Sequence, residues 1–261
     1  MSMPEDHPLR YKLANELHAR PSPPLDAPSR AAFLALKPLQ QGVDRDREAD
    51  RAHLIDLLDR FGAGHPQPGA THWFGDIGKY QLKWESHTEF VTYTIIGVGN
   101  AATPFDARTF DVFPPDWLRN APGARVTSAL IRVELQDGDA GIAEKLDDWF
   151  VPESLAVSRV LDDAAIVAGD FRIDPSGHMR LAVFVRPDAG SRRLGRIVQR
   201  LCEIETYKSM SMLGFSAVHE LGPEMRRIDG ELTRLMGEMT GDSSKAENTL
   251  TALLRISSEL E

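Results

Sequence analysis

The most regular alternation of apolar and polar positions lies at the C-terminal end of the chain. Apolar side chains recur at Met225, Ile228, Leu232, Leu235 and Met239. After a polar break the steps of three and four resume at Ala246, Leu250, Leu253, Ser257 and Leu260. A repeat near 3.5 residues turns one seam toward a neighbouring helix, so a coiled-coil-like stalk is expected over residues 191–261. Its earlier turns carry two further stripes, Leu194, Ile197, Leu201 and Ile204, then Met210, Leu213, Ala217 and Leu221. Gly222-Pro223 predicts a kink or a helix restart, because proline lacks a backbone donor and collides with the preceding turn. Thr240-Gly241-Asp242-Ser243 predicts a second break, and Ser244 with Glu247 fits a capping box for a last helix. That short break favours an antiparallel helix hairpin. Leu260-Glu261 falls inside the apolar rhythm without a stop signal, so further helix is expected beyond it in a longer protein.

Upstream the period changes from helical to alternating. Residues 1–29 form a proline-rich arm with a short helix expected over Tyr11–Ala19, and residues 30–190 read as a sheet domain. Arg30–Lys37, small and apolar, suits a first strand. Arg47–Phe61 places Leu54, Leu57, Leu58 and Phe61 at helical spacing before Gly62. Lys79–Glu85 alternates strictly, with Tyr80, Leu82 and Trp84 on one face and Lys79, Gln81, Lys83 and Glu85 on the other. Phe90–Ile96 is β-branched and aromatic and reads as a central strand. Val126–Leu135 is a further strand, and Ala164–Ile173 and His178–Arg186 flank a turn at Asp174-Pro175-Ser176-Gly177, a hairpin signature. Strands outnumber intervening helices. The expected fold is therefore α+β: a largely antiparallel mixed sheet with flanking helices, followed by a long C-terminal helical arm.

Composition narrows the function classes. With 261 residues and 42% hydrophobic content the chain can fill a core without disulfides or metal. A net charge of −9 argues against nucleic acid as a partner, since phosphate attraction needs clustered positive charge. Cys202 is the single cysteine, which fits a reducing cytoplasm, and its apolar flanks suit a small core residue. Met1–Arg10 lacks the basic start and apolar run of a signal peptide, and no stretch reaches the ~20 apolar residues a bilayer demands, so the chain as given reads as soluble.

Candidate chemistry is sparse. If the strand continues through them, Glu85, His87 and Glu89 share one face and can hold a divalent metal such as Mn²⁺ or Zn²⁺; His18 extends that site if the N-terminal arm folds back. The same residues equally suit a polar outer face with a cross-strand ion pair, or a turn at Ser86–Thr88. Arg192, Arg196 and Arg200 lie at i, i+4 and i+8 on one helix face. In a first helical turn they oppose the macrodipole, which calls for an anionic ligand, an acidic patch or ion pairs such as Arg200 with Glu203. Gly97-Val98-Gly99-Asn100-Ala101-Ala102 matches G-x-G-x-x-A, but Thr103-Pro104 intervenes where a phosphate-binding helix would start, so a loop is expected. Glu203, Glu205, His219 and Glu220 read as helix-surface charges.

Three strings resemble a known family: Asn15-Glu16-Leu17-His18-Ala19-Arg20-Pro21, Trp84-Glu85-Ser86-His87-Thr88-Glu89-Phe90, and Arg196-Ile197-Val198-Gln199-Arg200-Leu201 leading into Glu203-Ile204-Glu205-Thr206-Tyr207. Together they are similar to the bacterial membrane-anchored proteins classed as domain of unknown function 3422. That resemblance implies a domain on the cytoplasmic face of the inner membrane, anchored through a C-terminal region absent from this chain, and it supplies no activity or catalytic residues. The order of sheet domain, long helix and membrane segments is also the layout of CorA-type magnesium channels, a likeness of architecture alone. The leading expectation is a non-enzymatic domain that forms a homo-oligomer through its helical arm, with a regulatory role in CorA-like divalent-cation transport as its more specific version. The competing expectation is a metal-dependent enzyme around Glu85, His87 and Glu89.

Overall fold

A computed structural model describes residues 4–8, 10–11, 22–39, 45–239, 251 and 254–255. Its centre is an eight-stranded sheet built from β1 (Ser29–Lys37), β2 (His72–Ile77), β3 (Tyr80–Ser86), β4 (Val91–Val98), β5 (Ala124–Leu135), β6 (Ala156–Val160), β7 (Ala165–Ile173) and β8 (Met179–Val185). The spatial order is β2-β3-β4-β1-β5-β8-β7-β6. Neighbours are antiparallel except β5 and β8, which run parallel. Their crossover carries a helix, as parallel neighbours require. The fold is thus α+β with a mixed, largely antiparallel sheet and a long C-terminal helix, as the patterning implies.

Period two divides the sheet into two apolar faces. On one, Ala32 and Leu34 of β1, Leu82 and Trp84 of β3, and Tyr93 and Ile95 of β4 meet Leu54, Leu57 and Leu58 of α1 (Arg47–Arg60) and Trp117 of α2 (Pro115–Arg119). Asp46 caps α1, its side chain accepting from the Glu48 and Ala49 amides at 3.0 Å. On the same sheet, α3 (Ile142–Trp149) packs Leu146 and Trp149 against Ala182 and Phe184 of β8. On the opposite face, Ala31 and Phe33 of β1, Ile131 and Val133 of β5, and Leu181 and Val183 of β8 receive Leu194, Ile197, Val198 and Cys202 of α4 (Ser191–Met239).

That last contact corrects the reading of the helical arm. The first stripe does not wait for a partner helix: Leu194 and Ile197 are buried against the sheet, Leu201 is partly buried, and Ile204 is 59 % exposed. The packed face passes instead through Val198, Cys202, Glu205 and Thr206, close to the i, i+4 row a straight helix lays on a surface. Glu205 is therefore buried rather than a surface charge, and it accepts a 2.8 Å hydrogen bond from Thr127 Oγ1. Contacts divide the chain into one compact unit through Tyr207 and a second from Lys208, inside α4 rather than at its start.

Pro223 lies within α4, so no new helix begins there. The His219 carbonyl that loses its donor sits on an exposed turn, where water can take its place. In the second unit Ile228 and Leu235 are buried with Leu232 packed against them, on the seam read from the sequence; Met225 is 59 % exposed. Arg255, in a helical segment, pairs with Glu231 at 3.0 Å. The break at 240–243, the capping pair Ser244 and Glu247, the seam residues Ala246, Leu250, Leu253, Ser257 and Leu260, and all but Tyr11 of the helix expected over Tyr11–Ala19 lie outside the described residues. No helix among the described residues is long and apolar enough to cross a membrane.

Candidate functional site

The alternation of β3 puts Lys83 and Glu85 on the face opposite Trp84. In isolation that polar face would be wet. Here α4 covers it, and Lys83 is only 6 % exposed. Burying an ammonium demands partners, and two are present. Lys83 Nζ lies 2.9 Å from Glu85 Oε1 and donates to Gln199 Oε1 on α4 at 2.9 Å. Gln199 Nε2 then donates to Glu203 Oε1 at 2.8 Å, and Arg200 Nη1 to Glu203 Oε2 at 2.7 Å. The chain of partners ties a strand to a helix more than a hundred positions later.

Beside this network a pocket opens, with about 510 Å³ of empty space including its mouth, all of it within the first unit. Phe33, Ile96, Leu25, Val198 and Cys202 give it apolar walls, and Lys83, Glu85, His87 and Glu203 add charge and polarity. Thr92 and Thr94 of β4 line it too. They are 4 % and 7 % exposed. At the rim, His87 stacks on Phe90 with centroids 4.3 Å apart, and Tyr207 meets Phe90 edge-on at 5.8 Å. The segment before β1 closes another side: the Leu25 amide donates to the Ser191 carbonyl at 3.0 Å, and Pro23 crosses Gly195. A Cβ at Gly195 would sit 1.9 Å from the Pro23 carbonyl oxygen, so only glycine admits that crossing. Burial raises the Cys202 thiol pKa, which leaves a neutral wall residue rather than a nucleophile.

The residues singled out from the sequence are only partly gathered here. Glu85 and His87 line the pocket. β3 stops at Ser86, and the His87 amide donates to the Phe90 carbonyl at 2.9 Å, so His87–Phe90 form a turn and the one-face arrangement with Glu89 does not form. Glu89 is exposed and lies 3.7 Å from Lys37. His18 lies outside the described residues. Among the described residues no three or more His, Cys, Asp or Glu side chains are grouped to hold a metal ion. Arg192, Arg196 and Arg200 are exposed on α4, and Arg200 is engaged with Glu203. The Gly97–Ala102 stretch ends β4 and enters a loop; the next helical element is a 3₁₀ turn over Ala107–Val112, so no α-helix N-terminus follows it.

Sequence reasoning missed Lys83, Thr92, Thr94, Gln199 and Cys202 as neighbours. A signal existed in β4, where Val91-Thr92-Tyr93-Thr94-Ile95 sets two threonines on one face of an otherwise apolar strand. Two of the three strings behind the family likeness, Trp84–Phe90 and Arg196–Tyr207, meet at this pocket. The family model described as a protein of unknown function, DUF3422, matches residues 5–261, and the chain belongs to that family. No curated protein and no solved structure matches it.

Proposed function

We propose that this member of the DUF3422 family is a non-enzymatic assembly module, a sheet platform whose helical arm associates with the arm of a second copy. One observation carries the reading: exposed apolar side chains recur along α4, and Val218, Leu221 and Met225 share one face of it. Met212, Phe215, Val218, Leu221 and Met225 are 58 %, 64 %, 70 %, 59 % and 59 % exposed. Exposed apolar patches of this extent mark interaction surfaces. Val218, Leu221 and Met225 lead by steps of three and four into Ile228, Leu232 and Leu235, so a seam already used for packing within the second unit continues uncovered toward the N-terminus of the helix. A second copy offers the same stripe, which is the self-complementarity a two-fold contact needs.

Neither a membrane anchor nor a CorA-type role enters this reading, because no described residue bears on either. Metal chemistry at Glu85, His87, Glu89 and His18 is not favoured: the turn at His87–Phe90 takes Glu89 off the face of Glu85, and Glu89 lies beside Lys37 instead. Arg192 and Arg196 remain open for an acidic partner surface.

Light scattering of the purified chain tests the reading. A dimer or larger species is expected, and Val218→Asp with Leu221→Asp should return a monomer with unchanged far-ultraviolet circular dichroism. A monomer for the unaltered chain at high concentration would sink it.

A further inference from the structure

The pocket between β1, β3, β4 and α4 is built for more than packing. Its apolar walls fit a hydrocarbon group. Three polar features point inward. Thr92 and Thr94, 4 % and 7 % exposed, line it and can present their hydroxyls to a ligand. Glu85 spends one carboxylate oxygen on Lys83 and keeps acceptor capacity on the other. Glu203 has both oxygens engaged, by Gln199 and Arg200, so the open acceptor on the polar wall is the second oxygen of Glu85. An anionic ligand would face that oxygen acceptor to acceptor, with nothing to pair. A cation would be drawn in, and the Phe90 ring at the rim adds attraction for it.

We propose that this pocket binds a small primary amine, its ammonium held by Glu85 and the Thr92 and Thr94 hydroxyls and its hydrocarbon part lying against Phe33, Ile96 and Val198. A primary ammonium has three donors and no acceptor. The acceptors offered here, one carboxylate oxygen and two hydroxyl oxygens, match that count. An alcohol can use the hydroxyls but gains nothing from the charge, and a carboxylate is repelled. The site is independent of arm association, because every lining residue lies in the unit that ends at Tyr207.

Calorimetric titration of the full chain with n-hexylamine, hexan-1-ol and hexanoate at equal concentration distinguishes these classes. Hexylammonium is expected to bind, hexanol about tenfold more weakly, and hexanoate not measurably. Glu85→Gln should reduce hexylammonium affinity about tenfold and leave hexanol unchanged. Thr94→Val, which keeps the side-chain shape, should weaken both. Should Glu85→Gln unfold the chain, Thr94→Val carries the comparison alone. Equal affinity for amine and alcohol, preference for hexanoate, indifference to Thr94→Val, or no binding of any probe would each overturn the assignment; the last outcome also describes a pocket filled by another segment of this chain.

Discussion

His53 shows how tightly single residues are specified in this molecule. It is 7 % exposed and stacks on Trp117 with centroids 3.8 Å apart. Its Nε2 lies 3.0 Å from the Trp117 carbonyl, which can only accept, so Nε2 carries the proton and Nδ1 must accept from the Tyr93 hydroxyl at 3.0 Å. Burial keeps that phenol protonated by raising its pKa, and burial also pushes the His53 imidazole below its ordinary 6.5. The folded state thus binds this proton less readily than the unfolded chain. Its contribution is fully present above pH 6.5 and is lost as pH falls through that value toward the folded pKa. Urea unfolding at about pH 7.5 and about pH 5.5 should show lower stability at the acid value. His53→Leu should shrink the difference while costing about 1–3 kcal/mol at the higher pH, since the Tyr93 hydroxyl and Trp117 carbonyl lose their partner. His178, shifted the same way by burial and by Arg125, leaves a residual slope. An unchanged difference in the variant would refute the assignment. The residue was visible in the sequence only as one position on a helix; its tautomer depends on a tyrosine and a tryptophan from two other elements.

At the scale of elements, local signals located most strands, while tertiary packing decided their surroundings. The β7–β8 hairpin was legible because Asp174 and Gly177 suit a tight turn: Asp174 Oδ1 accepts from the Ser176 amide at 3.0 Å and the His178 amide at 2.9 Å, and Gly177 has φ +89°. The short edge strands β2 and β6 were missed. β6 is mostly exposed and has no buried face to impose alternation. The helix restart allowed at Gly222-Pro223 does not occur, for another reason. Proline penalises a helix interior without forbidding it, and the penalty falls where water can satisfy the freed carbonyl. Pro223→Ala should therefore raise the helical signal at 222 nm and stabilise the arm, by up to about 3 kcal/mol against local unfolding. A loss of helicity would mean that the proline sets a bend the arm requires.

For the whole molecule, the division inside α4 has a direct consequence. Leu194, Ile197, Val198 and Cys202 complete the sheet's core, whereas residues from Lys208 onward form the second unit. A fragment ending at Tyr207 should fold with the near-ultraviolet circular dichroism of the full chain, because the buried Trp84, Trp117 and Trp149 all lie within it. A fragment ending at Gly190 should not, since the apolar face of β1, β5 and β8 would be left open to water. Equal folding of the two fragments would show that α4 is dispensable for the platform.

The sequence alone determined what depends on neighbours along the chain: strand alternation, the α1 stripe, the hairpin turn, the apolar seam from Ile228 to Leu235, and membership of the family through its three strings. The tertiary structure decided what depends on covering. Lys83 and Glu85 read as the wet side of a strand until a helix more than a hundred residues away lies over them. Only that burial converts a surface ion pair into the wall of a pocket and brings two threonines into its lining. Periodicity records which residues share a face; it carries no information about what is placed upon it, because that is settled by contacts between segments distant in the chain.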